Sequence, residues 1–427
     1  MRKRSVYSNL FYFIFVLALL VSCGRKVAEQ KSEYGKATQE LIKLVESNPE
    51  LESMLMSSIE KARQINPDKV TNPVQSLEAY FDFISYCEKA MPWTLRKKTS
   101  YDDMFTNMFQ SFCYFYFLID QPLEELEGKG LHHNSLQYAN PFASWLVTFS
   151  NSWASFLESE DSWNDEYYQL ALNDPAFGLQ NGWYEDPSNW YSYNDFFARK
   201  LSSPDQRPID APEDNSIVVS FADSEPQGVW AIDGNSDLDV EVGVVVKSAS
   251  LKSISKLIGE DSQYKDAFAN GTFTHSFLNV NDYHRYHFPL GGTVKEVRII
   301  QGTNPIGGSL RWDAENNRYA FDPSSLGWQT LETRGCVILD TESYGLVALL
   351  PIGMVAVSSV NFEDYVKSGV EVKKGDMLGY FAFGGSDFIM LFQDQVKFSL
   401  DAPRSEDGQS YKHLLMGERL GSLSKRD

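Results

Sequence analysis

The spacing of apolar residues changes its character about halfway along the chain. Over residues 37–158, apolar side chains recur every three or four positions, which is the period of a helix with one buried face. The run at 112–119 is apolar on all sides and predicts a helix at the centre of a bundle. Three groups of residues have the composition of helix starts: Asn72-Pro73, Ser100 with Asp103, and Asn140-Pro141. We therefore predict an all-α N-terminal domain at 37–173.

From residue 217 onward the pattern changes to short β-type runs separated by Gly, Asn, Asp and Pro. The runs are 217–220, 240–246, 293–300, 337–340, 346–350, 354–357, 377–383 and 388–392. Two further segments, 251–258 and 264–269, predict short helices. A polar stretch rich in Gly and Pro begins at residue 174 and predicts a linker, 174–193. These patterns predict an α+β protein in which a β-rich domain, 194–427, follows the helical domain.

The first 23 residues have the layout of a signal peptide. Basic residues at 2–4 precede an apolar stretch at 10–21, which is shorter than the about 20 residues of a membrane-spanning helix. The ending, Leu20-Val21-Ser22-Cys23, resembles the lipobox of bacterial lipoproteins, which implies cleavage before Cys23 and acylation of its thiol. An ordinary secretory signal or an uncleaved anchor is the alternative. We expect an exported protein tied to a membrane by a lipid anchor, with a tether at 24–36.

Composition narrows the choice of partners. The 58 acidic residues outnumber the 38 basic ones and give a net charge of −20. Nucleic acid and anionic lipid surfaces both attract basic proteins, so we expect neither to bind this chain through charge. Besides Cys23, the cysteines are Cys87, Cys113 and Cys336, an odd and sparse set that does not indicate a disulfide framework.

One stretch near the C-terminus combines two apolar runs with a small nucleophile. Gly384-Gly385-Ser386 separates the runs at 377–383 and 388–392. This order predicts a strand, a tight turn and a second strand, with Ser386 at the bend. Taken alone, the stretch is more typical of a hairpin or bulge whose serine has no chemical role.

Other motifs give the stretch a chemical context. They are NDFFARKL at 194–201 with RPID at 207–210, VVSFAD at 218–223 and DYHRYH at 282–287. Together with the glycine–serine site, and in this order, they resemble the phosphatidylserine decarboxylase family. The resemblance covers roughly residues 190–400, and the helical N-terminal domain is similar to that of the related tryptophan decarboxylases.

The resemblance implies that the protein makes its own cofactor. The Ser386 hydroxyl would attack the Gly385 carbonyl, and β-elimination from the resulting ester would leave dehydroalanine, which hydrolyses to a pyruvoyl group and ammonia. The products would be a β chain ending at Gly385 and an α chain of residues 386–427. The pyruvoyl carbonyl would form a Schiff base with the substrate amine and accept the electrons that loss of CO2 leaves behind. No lysine stands in a convincing pyridoxal phosphate context, so we expect no PLP.

The family's functional residues map onto four positions of this chain. Asp223, His287 and Ser386 match the self-cleavage triad, in which His287 would take the hydroxyl proton and Asp223 would fix its tautomer. His284 matches the histidine that assists decarboxylation or reprotonation. The residues Asp282, His284 and His287 are also zinc-type ligands, but we expect no metal.

The chain departs from the family pattern beside these residues. Phe221 replaces a proline, Ser224 a glycine, and Asp387 the usual threonine after the cleavage serine. These changes put the substrate in doubt more than the reaction. We expect phosphatidylserine, with a free and possibly aromatic amino acid as the alternative. A third reading is a non-catalytic binding lipoprotein, because residues 366–379 resemble the barrel-sandwich half of lipoyl and biotinyl domains, although they bring no carrier lysine.

Overall fold

The structure is a computed structural model that describes residues 34–96, 101–129, 131–239, 252–355, 359–406 and 408–426. Several features predicted above lie wholly or partly outside these residues: the signal peptide with Cys23, the tether at 24–36, Ser100, the runs at 240–246 and 354–357, and the first residue of the helix at 251–258. No helix within the described ranges combines the length and apolar character that crossing a membrane requires.

The N-terminal part is helical, as predicted. Its longer helices are α1 (Lys36–Glu46), α2 (Pro49–Ile65), α3 (Leu77–Cys87), α4 (Met104–Phe117), α5 (Phe142–Leu157) and α6 (Asp165–Asn173). The apolar helix α4 is buried over most of its length and is central to this part, with Phe115 stacked on Phe149 of α5 at 5.2 Å. Cys87 and Cys113 are buried small side chains in the same core.

Of the predicted helix starts, one is confirmed and two lie elsewhere. Helix α5 begins directly after Asn140-Pro141. Helix α4 starts three residues later than the predicted pair Ser100 and Asp103 requires, because Asp103 is itself the N-cap and its carboxylate accepts a hydrogen bond from Thr106 N. Helix α3 begins at Ser76 instead of Asn72-Pro73, because the Ser76 hydroxyl accepts from Ala79 N. The Asn72 side chain is used elsewhere and donates to two backbone carbonyls.

The rest of the chain is β-rich and contains two short helices, α7 (Tyr193–Phe197) and α8 (Ile254–Ile258). The strands are β1 (Ile217–Val219), β2 (Glu225–Ile232), β3 (Leu238–Asp239), β4 (Thr272–Leu278), β5 (Arg285–His287), β6 (Gly292–Ile300), β7 (Ser309–Asp313), β8 (Arg318–Asp322), β9 (Thr333–Asp340), β10 (Leu346–Met354), β11 (Asn361–Phe362), β12 (Glu371–Val372), β13 (Met377–Tyr380), β14 (Gly385–Phe392), β15 (Val396–Leu400) and β16 (Arg419–Lys425). The α+β class is therefore confirmed. The predicted helix at 264–269 is wrong, since this segment forms turns.

The main sheet is antiparallel and has the order β12-β6-β9-β10-β14-β4-β2-β3. Strands β9 and β10 are buried on both faces, as the apolar runs at 336–339 of β9 and 346–354 of β10 require. Smaller sheets, β1-β16-β15 and β11-β13-β5, lie beside it in a sandwich-like arrangement. Strand β14 is therefore an inner strand, bonded on both sides.

Aromatic contacts join the helical part to the segment that enters β14. The Phe383 ring stacks on Phe112 of α4 at 5.0 Å and meets Trp153 of α5 at 5.4 Å. Tyr193 of α7 lies against the same ring at 5.1 Å. The residue three positions before Ser386 is thus held by helices from the N-terminal part of the chain.

Candidate active site

Ser386 lies inside a strand, and not at the bend of a hairpin as predicted. The bend falls at residues 381–384, and β14 starts at Gly385. The two flanking strands do not pair with each other, because β13 pairs with β5 and β11 while β14 pairs with β10 and β4. Gly384 has φ 153°, a value that a residue with a side chain rarely adopts. This glycine redirects the chain from one sheet into the other.

The Ser386 side chain is enclosed, and its hydroxyl has no hydrogen-bond partner in the described part of the chain. Its cross-strand neighbours are Leu278 of β4 and Gly353 of β10. The residue is 0% exposed, and its Oγ makes no hydrogen bond to any described residue. Leaving a buried hydroxyl unpaired costs about 1–3 kcal/mol, so such groups are rare in native cores unless they have a chemical task.

His284 is another buried group with an atom that has no partner among the described residues. Its Nδ1 lies 2.9 Å from the carbonyl oxygen of Asp282, and its ring stacks on Phe197 of α7 at 3.8 Å. A carbonyl can only accept, so Nδ1 carries the proton and Nε2 keeps its lone pair. Nε2 has no partner among the described residues. Burial lowers the pKa of His284 to about 3, which leaves the ring neutral at physiological pH.

His287 is buried as well, but both of its nitrogens are engaged. Nδ1 lies 2.8 Å from the carbonyl oxygen of Gly375, and Nε2 lies 3.1 Å from the hydroxyl of Tyr283. Burial lowers the pKa of His287 to about 4. The ring is therefore neutral, with a proton on Nδ1 and a hydrogen bond received at Nε2 from the Tyr283 hydroxyl.

Asp223 is bound by an arginine instead of a histidine. Both carboxylate oxygens accept from Arg207, at 3.0 Å from Nε and 2.6 Å from Nη2, and Met416 N adds a bond of 2.8 Å. The Arg207 side chain is 1% exposed and lies over the ring of Trp183. This is a buried bidentate ion pair, the strongest geometry open to these two groups.

The predicted hydrogen bond between Asp223 and His287 is consequently absent from the described structure. The negative charge of Asp223 does act on His287, and Arg207 lies 6.0 Å from the ring of Tyr283, which holds His287. No hydrogen bond joins Ser386 to either histidine among the described residues. The sequence could not show that the arginine of RPID would take the carboxylate.

Asp282 caps a turn and has a further partner. One carboxylate oxygen accepts from Asn279 N at 2.7 Å, and the other lies 2.9 Å from Nε2 of His413. Burial raises the pKa of Asp282. Burial of His413 lowers the pKa of this histidine, but the hydrogen bond with Asp282 has the opposite effect, and the result is a pKa of about 9. His413 belongs to the segment after Ser386, so this contact bridges the two proposed chains.

A buried histidine–carboxylate pair beside Ser386 was not predicted. Asp387 and His275 of β4 are both buried, and Nδ1 of His275 lies 3.0 Å from Oδ2 of Asp387. The Asp387 carboxylate also accepts from Gln329 at 3.4 Å and from Phe388 N at 2.9 Å. Successive residues of a strand point to opposite faces, so this pair lies across the sheet from the Ser386 hydroxyl. The only sequence signal for this pair was Asp387 in place of the family's threonine, and His275 lies 112 residues away in sequence.

A cavity of about 480 Å³ opens beside Arg207 and His287. Its lining also includes Tyr283, Gly375 and Met416, whereas Ser386 and His284 do not belong to the lining. Within the described ranges, no group of three or more His, Cys, Asp or Glu side chains is arranged to hold a metal ion.

Sequence comparisons identify known proteins to which the chain is similar. A sequence model of phosphatidylserine decarboxylase matches residues 193–422, more than half of the chain. The chain is 32% identical over 250 residues to phosphatidylserine decarboxylase proenzyme 2 of Oryza sativa subsp. japonica, covering 57% of this chain and 36% of that protein. It is 31% identical over 248 residues to the phosphatidylserine decarboxylase proenzyme of Fusobacterium nucleatum, covering 56% of this chain and 73% of that protein. It is 27% identical over 254 residues to the L-tryptophan decarboxylase of Psilocybe cubensis, covering 57% of this chain and 53% of that protein. The chain spans about a third of the rice relative.

These matches define a class of decarboxylase made as a proenzyme. The chain belongs to the phosphatidylserine decarboxylase family of carboxy-lyases.

Proposed function

We propose that this protein cuts its own backbone between Gly385 and Ser386 and then decarboxylates phosphatidylserine to phosphatidylethanolamine. One observation carries the proposal: Ser386 is enclosed at the start of the inner strand β14 with an unpaired hydroxyl. The family match spans this position, and the relatives of rice and Fusobacterium are described as phosphatidylserine decarboxylase proenzymes.

The cofactor we propose is a pyruvoyl group formed from Ser386. The residues present fit such a group, because the position has an unpaired buried oxygen and a glycine before it. A pyruvoyl carbonyl reacts with an amine and accepts the electron pair released as CO2 leaves. The buried surroundings exclude water, which favours this chemistry over side reactions.

We assign the proton-transfer role first to His284. Its Nε2 is unprotonated and unpaired, while Nε2 of His287 already accepts from Tyr283. A neutral histidine with a free lone pair can take a proton from the Ser386 hydroxyl or return one to the substrate carbon. His287 and Asp223 would then hold the walls of the site through Tyr283 and Arg207.

A second candidate substrate is a free aromatic amino acid. The similarity to a fungal L-tryptophan decarboxylase and the contact of α4 and α5 with Phe383 favour it. In this version the helical part would shape the pocket for a small substrate.

We also propose that the protein is exported and anchored to a membrane through acylated Cys23. The support is the sequence of residues 1–23 alone. The expected result is incorporation of labelled palmitate into the wild-type chain and none into Cys23→Ala. Equal labelling of both chains would remove this part of the proposal.

Denaturing electrophoresis and intact mass of the purified protein test the cleavage. We expect two fragments that meet between Gly385 and Ser386, the smaller one blocked at its N-terminus and reactive with hydroxylamine. Assays with phosphatidylserine vesicles and with free tryptophan then separate the two substrates by release of CO2. A single uncut chain that nevertheless releases CO2 would refute the scheme.

A further inference from the structure

The helical part contains an enclosed arginine whose guanidinium has no hydrogen-bond partner among the described residues. Arg96 follows the short turn Pro92–Thr94 and is 2% exposed. None of its three guanidinium nitrogens makes a hydrogen bond to a described residue. A guanidinium stays charged at any physiological pH, and a buried charge is strongly unfavourable unless something pairs with it.

The neighbours of Arg96 do not supply that partner. Its guanidinium carbon lies 5.6 Å from the centre of the Tyr101 ring, a contact that uses the flat face and leaves the N–H groups free. The nearby carboxylate of Asp68 accepts from Val70 N at 3.0 Å and from the Thr71 hydroxyl at 2.8 Å. Asp68 thus caps its own turn instead of pairing with the arginine.

Arg96 lines a cavity of about 270 Å³ between α3 and the segments on either side of it. The buried walls are apolar apart from the arginine: Val74, Phe83 and Leu95. The outer part is formed by Lys69, Val70, Pro73, Ala79 and Asp82. Lys69 and Asp82 carry opposite charges, so charge selection in the interior depends on the arginine.

We propose that this cavity binds a small monocarboxylic acid with an apolar body. The planar guanidinium matches a carboxylate through two parallel hydrogen bonds. The apolar walls favour a hydrocarbon or aromatic body, and the volume suits a small molecule. The site is separate from Ser386 and does not depend on the function proposed above.

Calorimetric titration and thermal unfolding of the full chain test this site. The probes are octanoate and 3-phenylpropionate, with octan-1-ol, octylamine and inorganic phosphate as matched comparisons. We expect saturable binding of at least one carboxylate, and binding of octanol weaker by about 10- to 100-fold, as the loss of hydrogen bonds to a charged group implies. The preferred carboxylate shows whether a lipid-derived or an aromatic ligand fits.

Two variants and one control make the result specific. Arg96→Met should weaken octanoate or phenylpropionate binding by about 10- to 100-fold, and Val74→Trp should abolish it by filling the cavity while leaving the arginine in place. Arg298→Met is the control, because this surface arginine pairs with Asp261 at 2.8 Å and should not affect binding. Equal binding of octanoate and octanol, unchanged binding by Arg96→Met, phosphate binding as tight as octanoate, or no binding of either carboxylate would overturn the proposal.

Discussion

Five buried polar groups from the family motifs fall into two sets according to their hydrogen bonds. In the first set, Asp223, Arg207 and His287 have their hydrogen bonds made, through the ion pair, Tyr283 and a backbone carbonyl. In the second set, Ser386 Oγ and His284 Nε2 are equally buried and have no partner among the described residues. Buried polar groups whose hydrogen bonds are made hold the site in one geometry. Buried polar groups without a partner are energetically unfavourable, and in native proteins they cluster where a reaction needs them. The difference therefore separates the groups that hold the site from those proposed to act in it.

Ser386→Ala should have the largest effect. Removing the hydroxyl removes the proposed nucleophile, so we expect a single uncut chain with no decarboxylase activity. Intact mass and CO2 release are the measurements. Ser399→Ala on β15 is the matched control and should cleave normally. A cut and active Ser386→Ala protein would contradict the assignment.

His284→Gln should lower activity by about 100- to 10,000-fold, the range for loss of a general acid or base. His275→Gln is the sharper comparison, because its Nε2 is also buried and unpaired but lies on the other face of the sheet. We expect less than about a tenfold effect there, since it would not reach the reacting atoms. Equal losses in both variants, measured as rates of cleavage and of CO2 release, would show that unpaired nitrogens do not mark the site.

Arg207→Leu should destabilise the protein by about 3–5 kcal/mol, because it leaves the buried Asp223 charge uncompensated. Urea unfolding of the uncut Ser386→Ala background measures the change without interference from cleavage. Arg419→Leu is the matched control, since its ion pair with Asp210 is about half exposed and should contribute about 0–1 kcal/mol. If Arg207→Leu lowers the free energy of unfolding by less than about 1 kcal/mol, the pair of Arg207 and Asp223 does not hold the site as proposed.

Acid should destabilise the fold through His284 and His287. Their pKa values are lowered from 6.5 to about 3 for His284 and about 4 for His287, so the unfolded chain binds more protons below pH 6.5. Each should therefore remove about 2 kcal/mol of stability at pH 5 relative to pH 7. Unfolding free energies from pH 7 to 5 test this, and His284→Gln should flatten the dependence. An unchanged slope in that variant would argue against a buried neutral His284.

The smallest effect should come from His413 at high pH. Burial lowers the pKa of His413, but the contact with Asp282 outweighs this effect and raises the pKa to about 9. The contact therefore adds stability that is complete below pH 6.5 and is lost as the pH rises through 9. The side chain is 42% exposed, and solvent reduces the effect. We expect a small fall in melting temperature from pH 7 to 10 that is absent in His413→Asn. An identical fall in both proteins would show that the contact is not responsible.

The sequence predicted the class of fold and the strands whose apolar runs are continuous, such as β10 and β14. It missed β4 and β16, whose mixed sequences become strands through pairing with neighbours far along the chain. It put Ser386 at a bend, because two glycines before a serine are typical of turns. Long-range partners, including Arg207 for Asp223 and His275 for Asp387, leave no local pattern and could not be predicted. The domain limits and catalytic assignments stay predictions.

The position of β14 affects whether the protein can refold after it has been cut. Residues after the proposed cut supply this inner strand and also β16, which pairs with β1, while Met416 and His413 bind Asp223 and Asp282. Scission would therefore nick the protein without releasing either fragment. Once heat had pulled the pieces apart, the shorter one would have to thread back between two strands that can close on each other. Mature enzyme should thus lose activity irreversibly on heating, whereas the uncut precursor should regain its fold on cooling.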